Sequence, residues 1–238
     1  MKVKLAKIID RFIILPICYL LAPIALFNSN KLENPKDIAI IRLWAIGEST
    51  LTLPMIKRIK LKYPNAKITI ICSDKNKELF ENQKFVDRVT DYKSKEILKS
   101  YRKYDVIIDA EPFLNISALL SSLLGKSSIG YSQKKSSFLY KNKIEYKDGI
   151  HVANNFIRLA SPLNIKGDEL ETLEQIKTNE EVSKKIDELV KNIKKPRVGI
   201  CITTGGTALS RRWPINKWAE ISKYLFREFK ANIFIIGG

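Results

Sequence analysis

Two short stretches of this chain set charge beside glycine, in patterns that could handle a hydroxyl and a phosphate. In IAIIRLWAIGESTLTLP (residues 38–54) an apolar run stops at Arg42-Leu43, and Gly47-Glu48-Ser49 lead into helical spacing. A strand ending in a tight turn at a helix start is where open α/β sheets bind ligands. Gly47 would allow the close turn. Glu48 would project from the carboxyl edge of the sheet, with the helix end favouring its charged form. Such a carboxylate, aimed into a crevice, can take the proton of a hydroxyl. Gly47 and Ser49 flank it and would meet the same ligand. The plainer alternative, which the pattern alone favours, is that Glu48 only complements the first helical turn.

The second stretch is TTGGTALSRRWP (residues 203–214). Free backbone N–H groups at Gly205-Gly206-Thr207 ahead of a helix would form an anion nest. Arg211 and Arg212 would add forked donors for a diphosphate. An ordinary loop with two solvated arginines is the alternative. Other patterns fail. Gly125-Lys126-Ser127 resembles half a phosphate loop, but the first glycine position holds Leu120 and a helix precedes the segment. No G-x-G-x-x-G follows the first strand, so a dinucleotide site has no support. The single histidine, His151, opens a helical segment and reads as a cap or packing residue. A histidine-rich metal site is excluded. Cys18, Cys72 and Cys201 lie far apart in apolar runs and read as buried thiols in a reducing compartment.

The elements that must position these residues follow from periodicity. Strands are expected at 38–43, 67–72, 86–91, 105–109 and 127–131, with helices at 50–62, 76–82, 94–102, 113–124 and about 151–161. This alternation predicts a doubly wound α/β domain, its central strands continuously apolar because helices cover both faces. Pro54 is tolerated if it lies in a helix's opening turn. The domain would run over 36–165. Residues 166–195 turn polar and read as an interdomain connection, with Val182, Ile186, Leu189, Val190 and Ile193 on one helical face and Thr178 and Glu181 as a capping box. A second unit opens at 196: strand 197–202, helix 215–229 with Ile215, Trp218, Ile221, Leu225 and Phe229 on one face, and strand 232–238. One βαβ unit cannot bury both sheet faces, so residues 196–238 read either as a unit docked on the first domain or as the start of a donor-binding domain that is truncated here.

Residues 1–35 form a separate segment. Lys2, Lys4, Lys7 and Arg11 face one acid, Asp10, and FIILPICYLLAPIALF (12–27) carries no charge. The run is short for a span and contains Pro16 and Pro23. No small-x-small cleavage site follows it. A monotopic interfacial anchor is expected; a helix packed on the protein's own core is the alternative. The formal net charge of +17 suits an anionic partner. Nucleic acid is not the expected one, because the lysines are scattered rather than interleaved with aromatics.

Taken together, IRLWAIGESTLTLPMIKRIKLKYPNAKITIIC, YDVIIDAEPFLNISALLSSLLGKSSIGY, HVANNFIRLASPLNI and GICITTGGTALSRRWPINKWAEI resemble glycosyltransferase family 9, the heptosyltransferase-like enzymes of lipopolysaccharide assembly. The resemblance implies a GT-B fold and an inverting transfer of a heptose-like sugar from a nucleotide diphosphate donor to a lipid-linked glycan, with no metal or other cofactor. It places Glu48 where the family usually has an aspartate base, Arg211 or Arg212 at the departing phosphate, and Thr207 in the same region. It implies a protein at the cytoplasmic face of the bacterial inner membrane. It also implies that a later donor-binding stretch has no counterpart here, which leaves a catalytically silent membrane- or glycan-binding remnant as the competing expectation.

Overall fold

The computed structural model describes residues 2–27, 29, 32–167, 169–170, 172–176, 180–204 and 209–237. The chain forms two compact units, Met1–Thr178 and Asn179–Gly238. Their division falls inside the polar stretch 166–195.

The first unit begins with α1 (Lys2–Ile9) and α2 (Leu15–Leu20), joined by a π turn (Asp10–Ile14) and followed by a 3₁₀ stretch (Ala22–Phe27). Strands and helices then alternate: β1 (Asp37–Arg42), α3 (Ile46–Thr50), α4 (Leu53–Lys62), β2 (Lys67–Cys72), α5 (Asp74–Glu81) and β3 (Arg88–Asp91). After them come α6 (Lys95–Leu98), β4 (Tyr104–Asp109), α7 (Asn115–Leu124), β5 (Gly125–Tyr131), β6 (Asn142–Ile144) and α8 (Val152–Arg158). The strands form one sheet in the order β3-β2-β1-β4-β5-β6, all parallel. Successive side chains of a strand point to opposite faces, and both faces here are covered. Ile38, Ile40, Ile70 and Ile108 pack against Met55 and Ile59 of α4, Phe80 of α5 and Phe156 of α8. Ala39, Ile41, Ile71 and Ile107 pack on the other side with Ile97 and Leu124. Strand order reverses between β1 and β4, which opens a crevice at their carboxyl ends.

Three elements differ from expectation. The helix expected at 50–62 starts later, as α4 at Leu53, and the separate short helix α3 (Ile46–Thr50) precedes it. Pro54 lies in the first turn of α4, where its missing N–H costs no intrahelical bond. The helix expected at 94–102 keeps only one turn, and Arg102, at φ 47°, turns the chain into β4. The short edge strand β6 was not foreseen.

The N-terminal segment is two-sided. Ile14, Ile17, Cys18 and Leu21 pack with Ala118 and Leu119 of α7 and with Leu139 and Tyr140, while Leu5, Ile8, Phe12 and Ile13 are exposed. Asp10 fixes the arrangement. Its Oδ2 accepts from Asn115 N (3.0 Å) and Asn115 Nδ2 (2.9 Å), and its Oδ1 accepts from Ile116 N (2.9 Å). A helix start leaves such donors without intrahelical partners, so α7 is capped by a carboxylate from 105 residues earlier. Burial pushes the Cys18 thiol up to about 11.

Beneath the carboxyl edge lies a buried polar cluster. Asp109, ending β4, accepts from Lys134 Nζ (2.8 Å), Tyr140 Oη and the backbone of Glu111 (2.9 Å). Lys134 also donates to Ser117 Oγ of α7 at 2.8 Å. Lys134 and Asp109 are 1% and 0% exposed. Burial, with Asp109 beside it, pushes the Tyr140 hydroxyl well above the usual tyrosine range. Tyr140 reaches Asp109 across Gly130, where any Cβ would overlap the tyrosine ring.

In the second unit, α9 (Glu180–Val190) precedes β7 (Arg197–Cys201), α10 (Ile215–Phe229) and β8 (Asn232–Ile236), with β7 and β8 parallel. Thr178 of the expected capping box lies outside the described residues. Of the expected α10 face, Trp218, Ile221 and Leu225 are half-buried, while Ile215 and Phe229 stay exposed. A two-stranded sheet offers too narrow a bed for the whole stripe. For the same reason Cys201 is exposed, contrary to the expectation of three buried thiols.

Two stability effects follow. Gly130→Ala should force the Tyr140 ring aside and cost about 1–3 kcal/mol in urea unfolding. Lys134→Met should leave Asp109 buried without its cation and cost about 3–5 kcal/mol, and adding Asp109→Asn should recover most of that loss. A double-variant cycle in urea reads both.

Candidate active site

The crevice between the ends of β1 and β4 is built on Arg42, the last residue of β1, whose side chain is 1% exposed. Its Nη1 donates to Ala110 O (2.9 Å) just past β4 and lies 3.5 Å from Glu111 Oε1. Its Nη2 donates to Glu48 Oε2 at 2.6 Å. Its Cζ lies 5.3 Å from the Phe156 ring centroid, in cation–π range. A buried guanidinium needs such partners, because its uncompensated desolvation costs several kcal/mol.

Glu111 is buried too. Its Oε1 accepts from the N–H groups of Leu43 (2.6 Å) and Trp44 (2.8 Å), so it grips the loop leaving β1. Burial raises the Glu111 carboxyl above the usual range, while Arg42 opposes the rise. From the other side, Ser73 at the end of β2 donates to Leu43 O at 2.7 Å. The loop is therefore clamped by both neighbours of β1. The two buried cations, Arg42 and Lys134, face two buried carboxylates, Glu111 and Asp109. Glu48 adds one further negative charge at the rim.

Glu48 lies in the first turn of α3. Its side chain is 54% exposed. Oε2 is held by Arg42, and Oε1 has no hydrogen-bond partner among the described residues. The result is a carboxylate with a fixed direction and one oxygen open to solvent. The turn before it is not made at Gly47. It is made at Ala45, at φ 61°, a left-handed conformation uncommon for residues other than glycine. Gly47 instead faces open space, where a Cβ would meet nothing within 4 Å. The backbone there is free to be approached. Ser49 is fully buried. Its hydroxyl donates to Ala45 O (3.0 Å) and accepts from Asn76 Nδ2 (3.1 Å), so it braces the loop from within.

The other expected site residues lie in the second unit. Gly205, Gly206 and Thr207 fall outside the described residues. Arg211 ends a 3₁₀ turn (Leu209–Arg211) and is exposed. Arg212 is also exposed and folds back on its own loop, donating from Nε to Thr204 Oγ1 (3.3 Å) and from Nη2 to Thr204 O (3.4 Å). His151 caps α8, its Nδ1 accepting from Ala153 N at 3.2 Å.

Sequence reasoning passed over Arg42, Glu111 and Asp109. The signal was present: an arginine closing an apolar strand, and two acids in VIIDAEP where another ends. What was lacking was the knowledge that these strands are neighbours.

Against known proteins, the model of glycosyltransferase family 9 (heptosyltransferase) matches residues 93–238. Lipopolysaccharide heptosyltransferase 1 of Campylobacter coli is 26% identical over 222 residues, covering 83% of this chain and 63% of that protein. Among solved structures, a family 9 glycosyltransferase from Veillonella parvula superposes with a TM-score of 0.72 at 19% identity, over 88% of this chain and 65% of the other. An E. coli heptosyltransferase solved with ADP gives 0.63 at 19% identity, over 85% and 67%. The structural matches carry the α/β, GT-B-type fold, and the chain spans less than two-thirds of the curated relative's length. With the family model matched over more than half of its residues, the chain belongs to glycosyltransferase family 9.

Proposed function

We propose that the protein transfers a heptose-like sugar from a nucleoside diphosphate donor to a hydroxyl of a lipopolysaccharide-type acceptor, with inversion. The observation that carries this reading is the Glu48 carboxylate at the β1–β4 switch point. One of its oxygens is anchored on buried Arg42, and the other is open. In this mechanism Glu48 Oε1 takes the proton of the acceptor hydroxyl. The acceptor oxygen attacks the anomeric carbon on the face opposite the diphosphate and forms the new C–O bond. The bond from that carbon to the diphosphate oxygen breaks, and its electron pair leaves with the diphosphate. Arg42 supplies the positive charge that fixes the base, and Glu111 holds the loop that carries it. Both act as positioning residues.

The leaving diphosphate needs cationic and N–H donors where its charge develops. Arg211, Arg212 and the Gly205-Gly206-Thr207 loop are assigned that task from their sequence pattern. Support for an adenosine diphosphate donor comes from the relatives: one E. coli heptosyltransferase was solved with ADP and again with ADP-2-deoxy-2-fluoro heptose.

Glu48→Gln tests the base. In the intact protein, supplied with ADP-heptose and a lipopolysaccharide acceptor, it should slow ADP release by about 100- to 10,000-fold. Donor affinity should stay unchanged, while weakening the contact with buried Arg42 should lower the urea midpoint modestly. Turnover equal to that of the unaltered protein would rule Glu48 out.

A further inference from the structure

The exposed side of the N-terminal segment has a composition that the transfer chemistry does not use. Leu5, Ile8, Ile9, Phe12 and Ile13 recur at helical spacing and are all exposed, Phe12 at 67%. Tyr19 and Leu20 continue the exposed apolar surface, Leu20 at 77%. Contiguous apolar surface of this kind marks an interaction face. Lys7 and Arg11 are exposed on the same segment. The single acid within residues 2–27 is Asp10, which is buried and occupied in capping α7. What faces outward is therefore apolar and cationic.

We propose that this segment lies in the plane of an anionic lipid bilayer, with the row from Leu5 to Ile13 among the acyl chains and Lys7 and Arg11 at the headgroups. Charge selects this occupant. A second copy of the chain would set the same uncompensated cations against each other, whereas anionic headgroups neutralise them. Among the described residues no helix is long and apolar enough to cross a membrane, so the segment rests in the interface.

The contact at Asp10 makes the anchor part of the folded domain rather than a leash. Asn115, which Asp10 holds, is four residues beyond Glu111, which holds the Glu48 loop. The anchor thus docks at the carboxyl edge of the sheet, and between the two attachment points Phe113 stands 79% exposed. The geometry presents the crevice edge to the membrane surface. This last step rests on the transfer reading; the docking itself does not.

Flotation of the intact protein with vesicles tests the docking without reference to catalysis. Binding is expected to phosphatidylglycerol-containing vesicles and to be at least tenfold weaker to pure phosphatidylcholine. The double variant F12E/I13E should bind the anionic vesicles at least tenfold more weakly with an unchanged urea midpoint. Rising salt should weaken the unaltered protein's binding without abolishing it. Equal binding by protein and variant would overturn the proposal, as would failure to bind anionic vesicles. A concentration-dependent dimer that F12E/I13E dissolves would overturn it in favour of a second copy as occupant. Loss of transfer in Glu48→Gln leaves every one of these readouts untouched.

Discussion

Arg42 is the constraint around which the first unit's carboxyl edge is arranged. It ends a strand buried on both faces, so its guanidinium cannot reach bulk water. The partners it recruits come from three parts of the fold: Ala110 and Glu111 in the connection from β4 to α7, Phe156 on α8 and Glu48 on α3. Holding this one buried cation therefore ties three segments to the end of β1. It also decides what Glu48 can be. An unattached glutamate at a helix start would sample many rotamers. This one has a single oxygen tethered at 2.6 Å and the other directed outward. Stability and positioning here are two consequences of the same ion pair.

The elements were legible because their causes are local. DIAIIR, KITIIC and YDVIID are apolar runs of strand length, and α4, α7 and α10 follow from spacing alone. The site was legible only where its signal was local as well. An acid next to a glycine at a strand end pointed to Glu48. Its partner Arg42 stands six residues earlier, but nothing nearby says that a guanidinium will be buried. The grip of Glu111 on Leu43 and Trp44 spans 68 and 67 residues. It exists because β4 lies beside β1, a fact of strand order that no spacing encodes. The turn was misplaced for a related reason. A local reading assigns backbone freedom to Gly47. The clamps from Glu111 and Ser73 pull the chain taut earlier, and the left-handed residue becomes Ala45.

The N-terminal segment presents two unlike faces. Its composition suggested either an interfacial anchor or a helix on the protein's own core. The structure uses opposite faces of the same segment. Ile14, Ile17, Cys18 and Leu21 are turned to α7 and its neighbours, and Leu5, Ile8, Phe12 and Ile13 are left outside. The acid that a sequence reading counts as a weak counterweight to four basic residues is withdrawn from the surface to cap a helix. Its removal makes the exposed face more cationic than the raw composition suggests.

One connection, residues 110–115, joins these features. Ala110, Glu111, Leu114 and Asn115 are buried. Its first residues hold Arg42 and the Glu48 loop, and its last holds Asp10. Below it, Asp109 and Lys134 lock the strand end to Ser117 of α7. Glu48 and the N-terminal segment are therefore fixed to the same short run of chain rather than to separate loops. Under the proposed transfer and docking, a reaction on a hydroxyl carried by a lipid needs Glu48 at a set height and angle above the lipid plane, because misplacement by about 1 Å can cost ~100-fold in rate. A flexible tether would raise the local concentration of acceptor but could not set that geometry. A segment clamped by a buried carboxylate can do both, which gives a physical reason for Asp10 to be spent on α7 rather than left at the surface.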